Sequence, residues 1–187
     1  HTQMIQGYAG GADAGFLDDI TFEDFLHRAE IIHDDSQRLE RGEHVSGPAA
    51  DEYRARVARA SIFAGLTVTT KTQINQALSN PDLQIHHGAV VTCVFRRATA
   101  ACLEPTDSSA EPSWSRCRLG CVNAARTDRD AVNLGQHVTA LERDLSTLAL
   151  PEPLRQRIQF RLIEHRTALA EHESSRPTTV RTEGEED

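Results

Sequence analysis

All four cysteines of this chain lie between residues 93 and 121, spaced Cys93-x8-Cys102-x14-Cys117-x3-Cys121. No other feature restricts the fold as tightly, because whatever joins the four side chains must draw a loop-rich stretch into one small volume. Arg116 to Cys121 carries the closely spaced pair, with Gly120 supplying a bend. Cys93 and Cys102 bracket a strand-like run followed by a turn. Tetrahedral zinc takes four soft ligands at about 2.3 Å, and two ligands on one short turn provide half of that geometry. Arg97, Arg116 and Arg118 stand close enough in sequence to favour thiolates. Three readings stay open: a structural zinc site, four thiols buried as small apolar side chains, or two disulfides. The first is preferred, for a reducing cytoplasm. His86 and His87 offer a replacement ligand, although adjacent histidines in a hairpin also suit a solvated turn.

The rest of the chain is read around that cluster. Asp18 to Arg41 reads as an amphipathic helix, with Thr21 as a candidate N-cap and Gly42 as its stop. A second helix runs from about Ala49 to Phe63. Gly65–Thr70 has strand-like residues, and Thr72–Leu78 is a short helix ending at Asn80-Pro81. Leu83–Ile85 and Ala89–Phe95 read as a hairpin across His87-Gly88. Pro105–Pro112 is a loop. Thr127, with Asp130 three residues on, resembles a capping box. Leu134, Val138, Leu141, Leu145 and Leu148 then repeat at steps of four and three, the seam of a coiled coil. Pro151 and Pro153 separate this helix from another reaching about Glu171, with Leu154, Ile158, Leu162 and Leu169 inward. The fold class expected is mainly α with one small β-hairpin. The final pair reads as an antiparallel helical hairpin, with self-association through residues 134–148 as the competing use of the seam. Residues 174–187 read as a disordered acidic tail.

Charge divides unevenly. Residues 1–52 carry 3 Arg against 12 Asp and Glu, and residues 53–92 carry 4 basic side chains against 1 acidic. With a net charge of −8, whole-surface attraction to nucleic acid is excluded. A DNA contact would fall in the middle of the chain, where Arg54, Arg56 and Arg59 are the candidates. There is no run of roughly 18 apolar residues to cross a bilayer, no glycine-rich phosphate loop, no His-Glu-x-x-His pattern for a catalytic metal and no nucleophile elbow.

The opening run HTQMIQGYAG, followed by Ala14-Gly15-Phe16, resembles the end of the catalytic domain of tyrosine recombinases, specifically phage- or transposon-type integrases. The stretch RCRLGCVNAARTDRD, Arg116 to Asp130, resembles the cysteine-containing C-terminal extension of some bacterial integrases. The resemblance implies that Tyr8 is the nucleophile, forming a 3′-phosphotyrosyl link to DNA. In the family a His lies about nine residues before that Tyr, whereas His1 stands seven before Tyr8. The Arg, Lys and His groups that complete such a site lie upstream of the Tyr in the family, and here the first Arg is Arg28. The chain alone is therefore expected to be inactive and to act within a full-length bacterial enzyme, with DNA and other recombinase protomers of a synaptic complex as partners. On this view residues 1–45 end the catalytic domain, 46–85 link, 86–130 form a zinc-ribbon-like four-Cys module, 131–173 form the helical hairpin and 174–187 the tail. The competing class is a non-enzymatic zinc-binding and coiled-coil adaptor in which Tyr8 is incidental.

Overall fold

The computed structural model describes residues 19–60, 71–109, 111–147 and 149–177. Tyr8 and the motif around it, the strand-like run at 65–70, Leu148 and the acidic tail beyond 177 lie outside the described residues. The described elements are α1 (Asp19–Glu40), β1 (Val45–Ser46), α2 (Ala50–Ala60), α3 (Lys71–Leu78), β2 (Ile85–His87), β3 (Thr92–Val94), β4 (Ala124–Thr127), α4 (Asp128–Thr147) and α5 (Glu152–Ser174). The chain is mostly helical, as expected, but the hairpin belongs to a four-stranded antiparallel sheet in the order β1-β4-β3-β2.

Register fixes which residues meet. Val45 pairs with Thr127 and Ser46 with Arg126, Cys93 faces His86 on one side and Ala124 on the other, and Thr92 sits between His87 and Ala125. The sheet thus ties the start of α4 to the end of α1. Gly47 makes the turn out of β1 with φ +93°, and a Cβ there would lie 2.9 Å from the Ala124 carbonyl oxygen. Only glycine allows both the left-handed backbone and that approach, and Ala49 N–H then donates to the same carbonyl at 3.0 Å. Val45, Ala49, Tyr53, Val57, Ile85, Val94 and Ala125 form the core between α2 and the sheet, while Ile32, Ala60 and Leu83 join α1 and α2 beside it.

α1 begins at Asp19, so Thr21 lies inside the helix instead of capping it. Gly42 ends it as expected: Glu43 N–H returns to Arg38 C=O at 3.0 Å and Gly42 N–H to Leu39 C=O at 3.0 Å, a pattern that satisfies the orphan carbonyls of the last turn. The hairpin turn falls between Gly88 and Val91, placing His86 and His87 on β2 and not in a solvated turn. Thr127 and Asp130 do form a reciprocal cap: Thr127 N–H donates to Asp130 Oδ2 at 3.0 Å, and Asp130 N–H to Thr127 Oγ1 at 3.3 Å.

The final helices form the antiparallel hairpin. Along their contact the His137 and His165 rings lie 5.8 Å apart, Glu142 pairs with Arg166 and Arg155 donates to the Leu145 carbonyl at 3.4 Å. The seam read on residues 134–145 therefore packs within the chain, with Leu134 fully buried. On α5 the inward face is Leu162, His165, Ala168 and His172. Leu154, expected inward, is exposed. No helix among the described residues is long and apolar enough to cross a membrane.

Candidate functional site

The four cysteines come from separated pieces of backbone. Cys93 is the middle residue of β3. Cys102 follows the 3-10 turn at Arg97–Thr99, Cys117 ends the 3-10 turn at Trp114–Arg116, and Cys121 enters the turn before β4. All four line one cavity of about 10 Å³, together with Val91, Ala100, Pro112, Arg118, Asn123 and Ala124. That volume accommodates roughly one water-sized body. No disulfide joins the cysteines: each is a free thiol, with Cys93 and Cys102 buried and Cys117 and Cys121 half-buried.

The supporting bonds explain how an irregular loop converges so closely. Asn123, at 1% exposure, donates from Nδ2 to Arg96 C=O at 2.8 Å and accepts from Thr99 Oγ1 at 2.7 Å, clipping the first turn to the entry of β4. Ser113 N–H donates to Cys102 Sγ at 3.4 Å, a backbone-to-sulfur contact that orients the thiol toward the cavity. Cys121 Sγ approaches Thr99 C=O at 3.9 Å. The arginines divide. Arg118 lines the cavity, but Arg97 is turned to Ser109 C=O at 2.6 Å and Arg116 to Asp107 at 2.6 Å. Two of the three guanidinium groups expected to polarise the thiols instead brace the loop.

Two of the thiols resist ionising. Burial pushes the Cys93 thiol up to about 12, and the neighbouring Cys117, Cys121 and Cys102 push the same way. Cys117 is also raised, by burial first and then by Cys102 and Cys121. The thiols face one space without being drawn into a shell: among the described residues no group of three or more His, Cys, Asp or Glu is arranged to hold a metal ion. The donor set nevertheless fits zinc, being four soft sulfurs around room for a single small body.

His86 and His87 take no part in this site. His87 Nε2 meets Asp35 Oδ2 at 2.8 Å and Nδ1 meets Thr92 Oγ1 at 2.8 Å, while the Thr92 hydroxyl donates to Asp130 Oδ2 at 2.8 Å. That chain stitches α1, β2, β3 and α4 through the core. His86 contacts Gln84 at 3.2 Å and the Phe95 ring edge-on.

Of the arginines proposed for DNA, Arg56 is structural. Arg56, at 2% exposure, pairs with Glu52 at 2.8 Å and donates to the carbonyls of Phe95 at 3.1 Å and Gln84 at 3.3 Å. Its hydrogen bond holds the Glu52 carboxyl below the usual range. A side chain so placed cannot reach a phosphate, which corrects its assignment as a DNA contact. Arg59 pairs with Asp82 at 2.8 Å, and Arg54 pairs with Asp51 at 3.0 Å and donates to Val45 C=O at 2.6 Å. Both keep exposed surface but already have partners.

A second cluster was not legible in the sequence. Ser46 Oγ lies 2.8 Å from His172 Nδ1, and His172 Nε2 lies 3.1 Å from Asp128 Oδ1. Beside them His44 donates its backbone N–H to Asp128 Oδ2 at 2.8 Å, and its Nε2 meets His172 C=O at 3.2 Å and Ser175 Oγ at 3.0 Å. Arg176 also bonds Asp128. The order Ser–His–Asp resembles a nucleophile relay, but His172 is 0% and Ser46 5% exposed, leaving no approach for a substrate. The cluster clamps the end of α5 onto β1 and the start of α4. Burial opposes charge on Asp128, yet hydrogen bonds from His44 N–H, Arg176 and His172 hold its carboxyl low. Burial, then the adjacent His172, lower His44. Its two near-terminal elements are 126 residues apart, and no local spacing joins Ser46 to His172.

No protein-family profile, curated protein or solved structure matches this chain.

Proposed function

We propose that residues 93–124 form a structural zinc module, and that this module stabilises a non-catalytic part of a site-specific DNA recombinase. One observation supports the zinc reading above all: four cysteines, from β3, two 3-10 turns and the β4 entry, line one ion-sized cavity. Loops of this kind have too little apolar area to hold themselves closed, and Pro105–Pro112 adds length without core. Zinc would be held by Cys93, Cys102, Cys117 and Cys121, with the Ser113 N–H and Asn123 fixing the ligands from behind. Bound there it supplies a cross-link among the segments and no open position for chemistry.

The recombinase part of the proposal rests on the resemblance of the runs around Tyr8 and Arg116–Asp130. Tyr8 would attack a DNA phosphodiester in the full-length enzyme, conserving bond energy in a 3′-phosphotyrosyl link, and the described region would position protomers or flanking DNA.

Two experiments separate the parts. For zinc, native mass spectrometry of protein made with zinc should give one ion per chain, reduced at least tenfold in Cys117→Ser. Metal-free protein with four reactive thiols and no response to added zinc would overturn it. For the recombinase, the full-length enzyme and its Tyr8→Phe variant would be incubated with a nicked suicide DNA. A covalent adduct only with the native enzyme is expected. An adduct in both moves the nucleophile elsewhere, and none in either, with DNA bound, favours the adaptor.

A further inference from the structure

The outer face of α5 carries a second heptad pattern, distinct from the inward face that packs on α4. Gln156, Phe160, Ile163, Thr167, Ala170 and Ser174 follow one another at steps of four and three, and all six are exposed. Phe160 is 65% and Ile163 62% exposed. None of the six is charged, in a helix where Arg155, Arg157, Arg161, Arg166, Glu152, Glu164, Glu171 and Glu173 fill many of the other positions. An exposed face of a solvated helix ordinarily carries charge down its middle; this one keeps it on the two edges. The stripe runs nearly the full length of α5, about 34 Å at 1.5 Å per residue.

We infer that this stripe is a self-association seam, and that its partner is α5 of a second copy of this chain, parallel and in register. The edge charges select that occupant. Taking Phe160 and Thr167 as the first apolar position of each heptad and Ile163 and Ala170 as the second, the flanking pairs of a parallel dimer join residues five apart on opposite copies. Glu152 then meets Arg157, Arg166 meets Glu171, and Gln159 meets Glu164: two attractive pairs and one neutral, each occurring twice. An antiparallel dimer centred on the same stripe sets Glu164 against Glu164 and Arg166 against Arg166, and keeps only the Arg157–Glu171 attraction. Like charges placed so are unfavourable. The alternative seam on α4 is already covered by α5.

The intrachain partners do not obstruct this pairing. Glu142 holds Arg166 and Arg126 holds Glu171, yet the Arg166 and Glu171 side chains remain 57% and 60% exposed, so each can be shared across the seam. Only Phe160 and Ile163 are large apolar residues, which sets a weak dimer, with a Kd on the order of 10–100 μM. This surface is independent of the zinc site and of Tyr8.

The test is sedimentation velocity on the full chain from about 5 to about 500 μM, with helicity and melting temperature checked for each variant. The native chain should pass from monomer to dimer. Ile163→Lys, an exposed position, should keep its melting temperature and raise Kd at least tenfold. Arg157→Glu should weaken association roughly three- to tenfold by facing Glu152, and Glu152→Arg added to it should restore the native Kd. Thr167→Cys, oxidised at high concentration, should give a disulfide between the two introduced thiols, located by peptide mass. A monomer throughout, or an association unchanged by Ile163→Lys, overturns the proposal. So does failure of both the double swap and the cross-link, which rules out the parallel register.

Discussion

The two polar clusters of this molecule differ in how far their own side chains complete them. At the end of α5, His172 is bonded at both ring nitrogens, Asp128 receives a backbone N–H, an imidazole and a guanidinium, and His44 caps the arrangement from 4.8 Å ring to ring. Each polar group of the clamp meets a partner from the chain itself. At the cysteine cavity the reverse holds. Four thiols meet with only backbone groups as polar partners, the Ser113 N–H at Cys102, the Arg118 N–H at Cys117 and the Thr99 C=O at Cys121, and burial together with mutual repulsion discourages Cys93 and Cys117 from ionising. A cluster that closes on itself is a fastener. One that gathers like groups around a space is what the zinc proposal rests on, and the difference between them sets what each perturbation should do.

Removing zinc is expected to have the largest effect. Free zinc at a thousand times Kd adds about 4 kcal/mol to the folded state, which for a chain of this size corresponds to roughly 8–16 °C of melting temperature. Adding a strong chelator to zinc-loaded protein should lower the melting temperature by that amount, and should leave the Cys117→Ser variant nearly unmoved. If native and variant melted together with and without chelator, the cysteine cavity would be another self-sufficient fastener and the contrast would disappear.

Breaking the fastener comes next. His172→Ala leaves the Asp128 and Ser46 groups short of a buried partner and opens a gap, costing about 2–4 kcal/mol. The zinc content should not change. Loss of zinc in that variant would show that the clusters are coupled, and a melting temperature within 2 °C of native (about 0.5–1 kcal/mol) would show that the clamp is decorative.

The same contrast predicts opposite responses to pH. His44 has a lowered pKa in the fold, so the folded state binds fewer protons than the unfolded one as pH falls. The stability it contributes is present above the ordinary histidine value of 6.5 and is lost as pH falls through the lower folded value. His165, lowered by burial and then by His137 and Arg161, acts in the same direction. Cys93 is raised, from 9.0 to about 12, so in metal-free protein its contribution is present below pH 9 and is lost as pH climbs toward 12. Zinc reverses this second limb, because the ligands must shed their protons to bind and affinity rises with pH. Melting curves from pH 5 to pH 10 should therefore show an acid loss in both forms and an alkaline loss in the metal-free form alone. An alkaline loss of equal size with zinc bound would remove the thiols from the explanation.

Legibility in the sequence followed how local each signal was. Gly42 and the Thr127–Asp130 cap were readable because stop and cap are settled within a few residues. The cysteine cluster was readable as a spacing, since no α-helix or strand separates Cys102 from Cys117 among the described residues. β1 and β4 were not. Val45–Ser46 is two residues long, and Ala124-Ala-Arg-Thr127 has almost none of the β-branched alternation that marks a strand; both exist because the sheet supplies partners from far away. Arg56 misled for a related reason. Three arginines at close spacing look like a solvated face, but position 56 points inward and is satisfied by carbonyls 28 and 39 residues on. His165 and His172 carry no local signal of burial, and packing far along the chain makes them core.

The smallest predicted effect lies where the cysteine loop rests on the hairpin. The cavity's apolar floor is Val91, next to the turn that starts at Gly88, and Trp114 from the loop covers that turn. A Cβ on Gly88 would fall 2.6 Å from the Trp114 ring and 2.9 Å from the Val91 carbonyl oxygen. The ring can swing away because it is 44% exposed, whereas the carbonyl is held by the Gly88 N–H at 2.9 Å. Gly88→Ala should thus cost about 1–2 kcal/mol and shift the emission of Trp114, the only tryptophan in the chain, toward that of a solvated indole. If zinc clamps the loop from its far side, the same substitution in zinc-loaded protein should shift the emission less than in metal-free protein, since the clamped loop cannot lift. Equal shifts in the two forms would mean that the loop is held by the sheet alone, and the comparison between a closed fastener and an ion-dependent one would fail at its most local point.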